Sequence, residues 1–225
     1  MTTQEDHGSL IETSAARIRD MLISGRLLPG QKLSEQKIST ALGISRNTLR
    51  EVFRLLTSQR LLNYIQNRGV FVAAPSEADL IDIYRLRRTV QRGGILASRK
   101  THPALATMRS LAKRAEELAR SGAWHEVGTT NMEFHRAMVQ LNDSQRVSEA
   151  FELALAEMRL VFSLLEDSRH LHEPYISWNM RILEALEANE LLTAEKELEL
   201  YLVQSQSDVL AALARSKARP AGPGR

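Results

Sequence analysis

The stretch ISRNTLREVFRLL, residues 44–56, decides how this chain is read. Placed at about 100° intervals on a helix, Leu49, Val52, Phe53 and Leu56 fill one arc. Arg46, Asn47, Arg50 and Arg54 fill the adjacent one. The apolar arc docks on neighbouring helices and the polar arc faces outward. Arginine and asparagine suit a face that reads DNA, since Arg pairs bidentately with guanine and Asn with adenine. Ser45 predicts an N-cap, and Gly43 predicts the end of a preceding helix. Ser45 and Thr48 stand where hydroxyls bind phosphate oxygens, helped by the positive end of the helix dipole.

The pattern around this stretch completes a module. Upstream, Ile11, Ala15, Ile18 and Leu22 recur at helical spacing over residues 9–25, and Gly25, Pro29 and Gly30 end the run. Residues 35–42 predict a short helix with Ile38, Ala41 and Leu42 inward. Downstream the period changes. Two β-rich runs, 62–66 and 70–73, flank Asn67-Arg68-Gly69 and predict a hairpin. Three helices followed by a two-stranded wing form a winged helix-turn-helix, whose third helix enters the major groove near its N-terminus.

Pro75 closes the wing, and Ser76 with Asp79 predicts a capped helix start. No strand pattern follows. Helices are expected at about 77–100, 104–121, 124–141, 144–167, 175–190 and 192–216, with breaks at Pro103, Gly122, Asn142-Asp143 and Pro174. The expected fold class is mainly α: a winged helix-turn-helix over 9–74, an all-α helical bundle over 77–216, and a disordered tail over 217–225.

Charge follows this division. Residues 1–75 hold 10 Lys+Arg against 6 Asp+Glu, and residues 76–225 hold 20 against 21. Within 31–70 the count is 7 against 2, so the positive charge sits on the module expected to meet a polyanion. The chain has no cysteine, which excludes disulfides and thiolate metal sites. There is no 18-residue apolar run and no secretion signal, so no membrane association and a cytoplasmic location are expected.

In the helical bundle, polar residues fall on apolar faces. Arg87 lies amid Leu80, Ile83, Tyr84 and Val90. Asn131 and His135 share an arc with Val127, Phe134 and Met138. Asn179 lies between Leu183 and Leu186, and Tyr201 lies with Ala194, Leu198 and Ser205. Burying an unpaired polar group costs about 1–3 kcal/mol, and an unpaired charge costs more. Either these groups satisfy one another in the core, or they line a polar ligand cavity. Trp178, Phe162 and Met158 are candidates for its walls, although each also reads as plain core.

A family resemblance rests on these residues. The run LSEQKISTALGISRNTLREVFRLLTSQRLLNYIQNRGVFV resembles the DNA-binding domain of the GntR transcription regulators over residues 10–73. SRNTLRE is closer to the FadR-like branch, where threonine replaces the usual proline. The resemblance implies that Gln36, Arg46, Asn47, Thr48 and Arg50 meet DNA in the major groove. It places Arg68 and Gly69 of the wing at the minor groove, where glycine lets the backbone approach closely. One departure is Arg60, which stands where the family usually has glycine.

Residues 77–213 resemble the FCD domain that follows the winged helix in that branch. DLIDIYRLRRTV looks like its opening helix, NMEFHRAMVQLND resembles its DxxFHxxLxxxSxN motif, and six helices match the shorter VanR-like subtype. Many FCD domains hold a divalent metal with one Asp and three His. Here those positions align with Asn131, His135, Asn179 and Tyr201, so only His135 is retained. Neutral amides and a phenol are poor transition-metal ligands, and loss of the metal is expected. The ligand set expected instead is Arg87, Asn131, His135, Asn179 and Tyr201, taking a small-molecule effector. Arg87 matches an arginine that holds carboxylates in relatives, which implies an acidic metabolite; without a metal cation the site attracts anions less than theirs, so a neutral or aromatic metabolite is favoured more here than in the family at large.

The resemblance further implies a homodimer on a palindromic double-stranded operator, acting as a repressor released by ligand. The alternative is a ligand-independent regulator whose helical domain only dimerises. An enzyme is not expected, because His135 has no accompanying nucleophile, metal set or phosphate loop. RNA binding is disfavoured by the helix-plus-wing face and the shortage of exposed aromatics.

Overall fold

The computed structural model describes residues 2–23, 25–165 and 168–218. Chain contacts divide it into two units. The first takes the described residues through Pro75 together with Ala156–Leu164, and the second takes Ser76–Leu155 and the described residues from Leu165 onward.

In the first unit the elements are α1 (Thr2–Ile23), α2 (Glu35–Leu42), α3 (Arg46–Ser58), β1 (Leu62–Ile65) and β2 (Gly69–Val72). The apolar arc read from the sequence is the core of this unit. Leu49, Val52, Phe53 and Leu56 are at most 3% exposed, and pack with Ala15, Ile18 and Leu22 of α1, Ile38 and Leu42 of α2, and Val70 and Val72 of the wing. Each such burial stabilises by about 1.5–3 kcal/mol. Leu160 joins the same core, so Ala156–Leu164 groups with this unit rather than with the helical bundle as expected.

Two readings change here. Helix α1 starts at Thr2 rather than at residue 9. Its first turns carry no apolar period, which hid them, but His7 Nε2 lies 3.1 Å from Glu51 of α3. On α2, Ala41 is exposed and Ser39 is buried in its place. Ser39 is tolerated because its hydroxyl donates to Gln36 O at 3.1 Å.

The helix ends follow local chemistry. Gly43 takes φ 70°, a left-handed conformation that costs glycine nothing, and Ile44 N–H closes on Ser39 O at 3.1 Å. Ser45 then caps α3, accepting from Thr48 N–H at 3.1 Å. Helix α3 ends in the same motif: Arg60 N–H donates to Thr57 O and Leu61 N–H to Leu56 O, both at 3.0 Å. Arg60 is thereby held at φ 59°, which explains why glycine is usual at this position. A left-handed non-glycine residue costs about 1–2 kcal/mol, partly offset by the chain entropy glycine loses. Arg60→Gly is therefore expected to raise stability by up to about 1 kcal/mol in chemical denaturation.

The wing pairs β1 and β2 antiparallel, Leu62 opposite Val72 and Ile65 opposite Gly69. Asn67 at φ 61° and Gly69 at φ 100° turn the chain, and Arg68 N–H donates to Ile65 O at 3.0 Å. The segment before α2 lies along the other edge of β2, with Lys32 bridging Phe71 and Leu33 N–H donating to Val70 O at 2.9 Å. This third edge carries no strand pattern of its own in the sequence.

The second unit is built from α4 (Glu77–Ala97), α5 (Pro103–Arg120), α6 (Trp124–Gln140), the first part of α7 (Gln145–Ser163), α8 (Ser168–Ala188) and α9 (Leu191–Ala218). Ser76 and Asp79 form the expected capping box. Helices α4 and α6 approach closely at Gly94, where a Cβ would come 2.7 Å from Met138 O. Asn142 fastens the crossing, its amide donating to Val90 O at 3.0 Å and Val139 O at 2.9 Å. Pro174 is inside α8 and does not break it. It sits exposed near the helix start, where its missing N–H costs little. The expected tail is helical through Ala218, and residues 219–225 lie outside the described residues, as do residues 166–167 at the expected end of the fourth bundle helix. Among the described residues no helix is long and apolar enough to cross a membrane.

Candidate functional site

The outward face of the first unit carries Gln36, Ser45, Arg46, Asn47, Arg50 and Arg54, all exposed, and Arg68 is exposed at the wing tip. Gly69 is half-buried beside it. Thr48 differs from the expected set. It is only 6% exposed, and its hydroxyl lies 2.9 Å from Ser45 Oγ. The position is set by the cap: a hydroxyl that completes the first turn points back along the helix rather than away from it. Arg50 is steadied by an ion pair with Glu35 at 3.2 Å. Such an exposed pair is worth about 0–1 kcal/mol, so a phosphate or guanine can take its place. The Arg68 guanidinium carbon stands 5.5 Å over the Phe71 ring, which restricts the side chain before any contact is made. Between α3 and the wing runs a groove of about 720 Å³ lined by Arg50, Phe53, Arg54, Thr57, Tyr64 and Val70.

In the second unit, four helices bring the other expected set together. Helix α4 places Tyr84, Arg87 and Gln91 on one face, α6 places Asn131 and His135, α8 places Tyr175 and Asn179, and α9 places Tyr201, Ser205 and Asp208. Arg87, His135, Asn179 and Tyr201 are each at most 5% exposed. Asn179 Nδ2 donates to Asn131 Oδ1 at 2.7 Å, and Asn131 Nδ2 donates to Tyr201 OH at 3.1 Å. The Tyr201 ring meets His135 and Tyr175 edge-on, centroids 4.8 Å away in both cases. The Arg87 guanidinium lies 4.8 Å from the Tyr84 ring centre, and its charge favours the ionised form of both the Tyr84 and Tyr201 phenols, against the larger effect of burial. Tyr84 OH is also 2.6 Å from Ser205 Oγ.

Several polar atoms in this cluster have no partner. They are Arg87 Nε, Gln91 Oε1, His135 Nε2, Trp178 Nε1 and Asn179 Oδ1. The His135 state follows from its neighbour: Gln91 Nε2 lies 2.8 Å from Nδ1 and can only donate there. A neutral ring accepting at Nδ1 carries its proton on Nε2, so Nε2–H is an unused donor. Three N–H donors, one on a cation, are thus left unmet. No ion pair forms on Arg87 among the described residues. The nearby Asp208 already accepts from Tyr175 OH at 2.5 Å and Gln204 at 2.9 Å.

Burial pushes the Tyr201 phenol up to about 12. It therefore stays neutral at any physiological pH. Burial, and then the Arg87 charge, hold the His135 ring well below its ordinary value. The unfolded chain takes a proton on this residue near pH 6.5, whereas the folded chain resists it. Stability is thus complete above about pH 6.5 and falls below it, by up to about 1.4 kcal/mol per unit. Chemical denaturation between pH 7.5 and 5, at about half-unit steps, is expected to show this slope in the wild type and a shallower one in His135→Gln.

Gln91, Tyr84 and Tyr175 were not singled out from sequence. Their spacing could have found two of them, since 84, 87 and 91 follow the same i, i+3, i+7 rule that marks 128, 131 and 135. Of the expected wall residues, Trp178 joins the cluster, stacked 6.1 Å from Tyr175. Met158 and Phe162 belong to the segment that groups with the first unit.

Comparison with known proteins accounts for both halves. Residues 10–72 match the family model "Bacterial regulatory proteins, gntR family" and residues 82–204 match "FCD domain". A "Probable D-xylose utilization operon transcriptional repressor" of Paenarthrobacter nicotinovorans is 26% identical over 197 residues, covering 83% of this chain and 84% of that protein. The crystal structure of a GntR transcriptional regulator from Rhodococcus sp. RHA1 superposes with TM-score 0.85 at 35% identity, covering 91% of this chain and 99% of the other. E. coli McbR/YncC shares the fold at TM-score 0.77 and 21% identity, over 92% and 98% of the two chains. The first two of these are transcriptional regulators by description, not enzymes. The chain belongs to the GntR family of DNA-binding bacterial transcription regulators, with an FCD domain following its winged helix.

Proposed function

We propose that this regulator is a cytoplasmic homodimeric repressor that holds a palindromic operator through Gln36, Ser45, Arg46, Asn47, Arg50, Arg68 and Gly69. A small acidic metabolite entering the helical domain releases it. The observation that carries the effector reading is the buried Arg87, with Nε unpaired beside two further unmet donors, His135 Nε2 and Trp178 Nε1. A buried cation without a carboxylate is unfavourable, and an incoming anion resolves it. The ligand acts by binding the DNA-competent and DNA-incompetent forms unequally, and its effect equals that difference in affinity.

The buried polar cluster is read as metal-free because its donor set does not fit a tightly held transition metal. Three of the four family positions hold neutral Asn131, Asn179 and Tyr201, which hydrogen-bond one another through Asn131. Among the described residues no three His, Cys, Asp or Glu side chains are grouped for a metal. Substoichiometric metal in the purified protein is expected; one zinc or nickel per chain, lost in His135→Ala, would contradict this.

The hydrogen bonds that join Asn131, Asn179 and Tyr201 favour a second reading, in which the helical domain only dimerises. A thermal-shift screen against carboxylic and aromatic metabolites separates the two. A sensor gains stability with at least one compound, and that compound weakens operator binding in fluorescence anisotropy. No shift across the panel leaves the dimerisation reading.

A further inference from the structure

We propose that the groove between α3 and the wing holds the sugar-phosphate backbone of one operator strand, with Arg54 and Tyr64 as its phosphate contacts. The proposal rests on the reading above that α3 and the wing tip meet DNA, and adds what lies between them. On that reading the N-terminus of α3 occupies the major groove and the wing tip the minor groove beside it. One strand of the duplex separates two such grooves, so it has to cross the gap between α3 and the wing. Arg54 stands eight residues after Arg46, about 12 Å further along the helix. Tyr64 pairs with Val70 in the sheet, one pair in from Ile65 opposite Gly69. The two side chains therefore come from opposite walls of the gap, and both line it.

The chemistry of the gap selects a backbone rather than a base edge. Its floor is apolar, with Phe53 at 3% and Val70 at 7% exposure, and suits the carbon face of a sugar ring. Most polar side chains on its rim are already engaged. Glu35 pairs with Arg50 at 3.2 Å, Thr57 Oγ1 donates to Phe53 O at 2.7 Å, and Ser58 Oγ donates to Leu55 O at 2.7 Å. Arg54 and Tyr64 make no hydrogen bond or ion pair among the described residues. With Arg50 offset by Glu35, Arg54 leaves the gap net positive. Tyr64 is 68% exposed although its strand begins at the fully buried Leu62. A phenol held open beside an unpaired arginine offers an O–H donor and a cation. Phosphate oxygens, which only accept, take both, whereas a base edge is read by matched donors and acceptors.

Fluorescence anisotropy on the full chain tests this, with a duplex selected by the wild type from a randomised pool and a scrambled duplex of equal length, across several salt concentrations. Arg54→Ala is expected to weaken both duplexes alike, by about 2- to 10-fold, and to lower the salt slope by about 1. Tyr64→Phe is expected to weaken both by a similar factor at unchanged slope, because it removes a neutral donor. Both side chains are exposed, so the circular dichroism of the variants should match the wild type. Phosphates of the selected duplex can also be replaced one at a time by uncharged methylphosphonate. One replacement should reproduce the Arg54→Ala loss in the wild type and cost Arg54→Ala itself nothing further. If Arg46→Ala binds weakly while Arg54→Ala and Tyr64→Phe bind as the wild type, the groove assignment alone is overturned. A loss confined to the selected duplex overturns it too, because that marks a base contact. An Arg46→Ala protein that binds as the wild type would instead take α3 out of the major groove, and this proposal with it.

Discussion

Arg46→Ala and Arg50→Ala each weaken specific operator binding by about 1–3 kcal/mol, roughly 5- to 150-fold, and Arg54→Ala weakens it by less. The ranking follows from position. Arg46 opens α3 and Arg50 lies one turn on, where a recognition helix meets base edges. Arg54 lies two turns in and lines the groove between α3 and the wing, next to Tyr64. Arg50 should sit at the upper end of the range for a reason the structure supplies. Its ion-pair partner Glu35 remains when the guanidinium is removed, and an unneutralised carboxylate then faces the phosphates. Arg50→Ala combined with Glu35→Ala is therefore expected to regain part of the lost affinity. Fluorescence anisotropy with operator and scrambled duplexes at several salt concentrations separates the roles. Loss of a base contact relaxes specificity at constant salt slope, and loss of a phosphate contact lowers the slope by about 1. Operator affinity unchanged in both Arg46→Ala and Arg50→Ala would remove α3 from the interface.

Much of this face was legible because local chemistry fixed it. Leu49, Val52, Phe53 and Leu56 recur at helical spacing, Ser45 caps the next turn, and Gly43 ends the one before; each signal acts within about four residues. The same reasoning failed where a signal had two physical outcomes. Thr48 offered a hydroxyl at a helix start, and the sequence does not say whether it points to phosphate or back to the cap. Pro174 reads as a break, but near the start of an exposed helix its missing N–H costs little. Ser39 displaced Ala41 from the core because a short hydroxyl can bond its own turn. Arg60 was legible as an oddity, and the backbone supplies the reason at φ 59°. In the helical domain, inward polar residues could be found by periodicity. Which of them meet one another depends on pairing four helices, so Gln91 beneath His135 and Asp208 beneath Tyr175 emerged only in three dimensions.

The second large effect is expected at Arg87, and it has two opposite parts. In the absence of effector, Arg87→Met should be as stable as the wild type or more so, by about 1–3 kcal/mol. The variant removes a buried cation that no carboxylate balances among the described residues, and methionine fills similar length with apolar atoms. It also leaves no new orphan. Tyr84 OH keeps Ser205 at 2.6 Å, and Tyr201 OH keeps the Asn131 amide at 3.1 Å. At roughly 2–4 °C per kcal/mol for a chain of this size, the change is readable in calorimetry. In the presence of an acidic effector the order reverses. The wild type gains stability by mass action, about 2.7 kcal/mol at a hundredfold excess over the dissociation constant. Arg87→Met gains little, because the charge that received the anion is gone. Operator binding by the variant should then no longer respond to that compound, while its affinity without effector stays within a few fold of the wild type. A variant that unfolds several degrees early without ligand would show Arg87 to be an internally satisfied core residue. One that still answers an acidic compound like the wild type would move the anion site elsewhere. Arg87→Lys sharpens the distinction: it restores charge but not the planar fork, so it should recover part of the effector response and none of the stability gain.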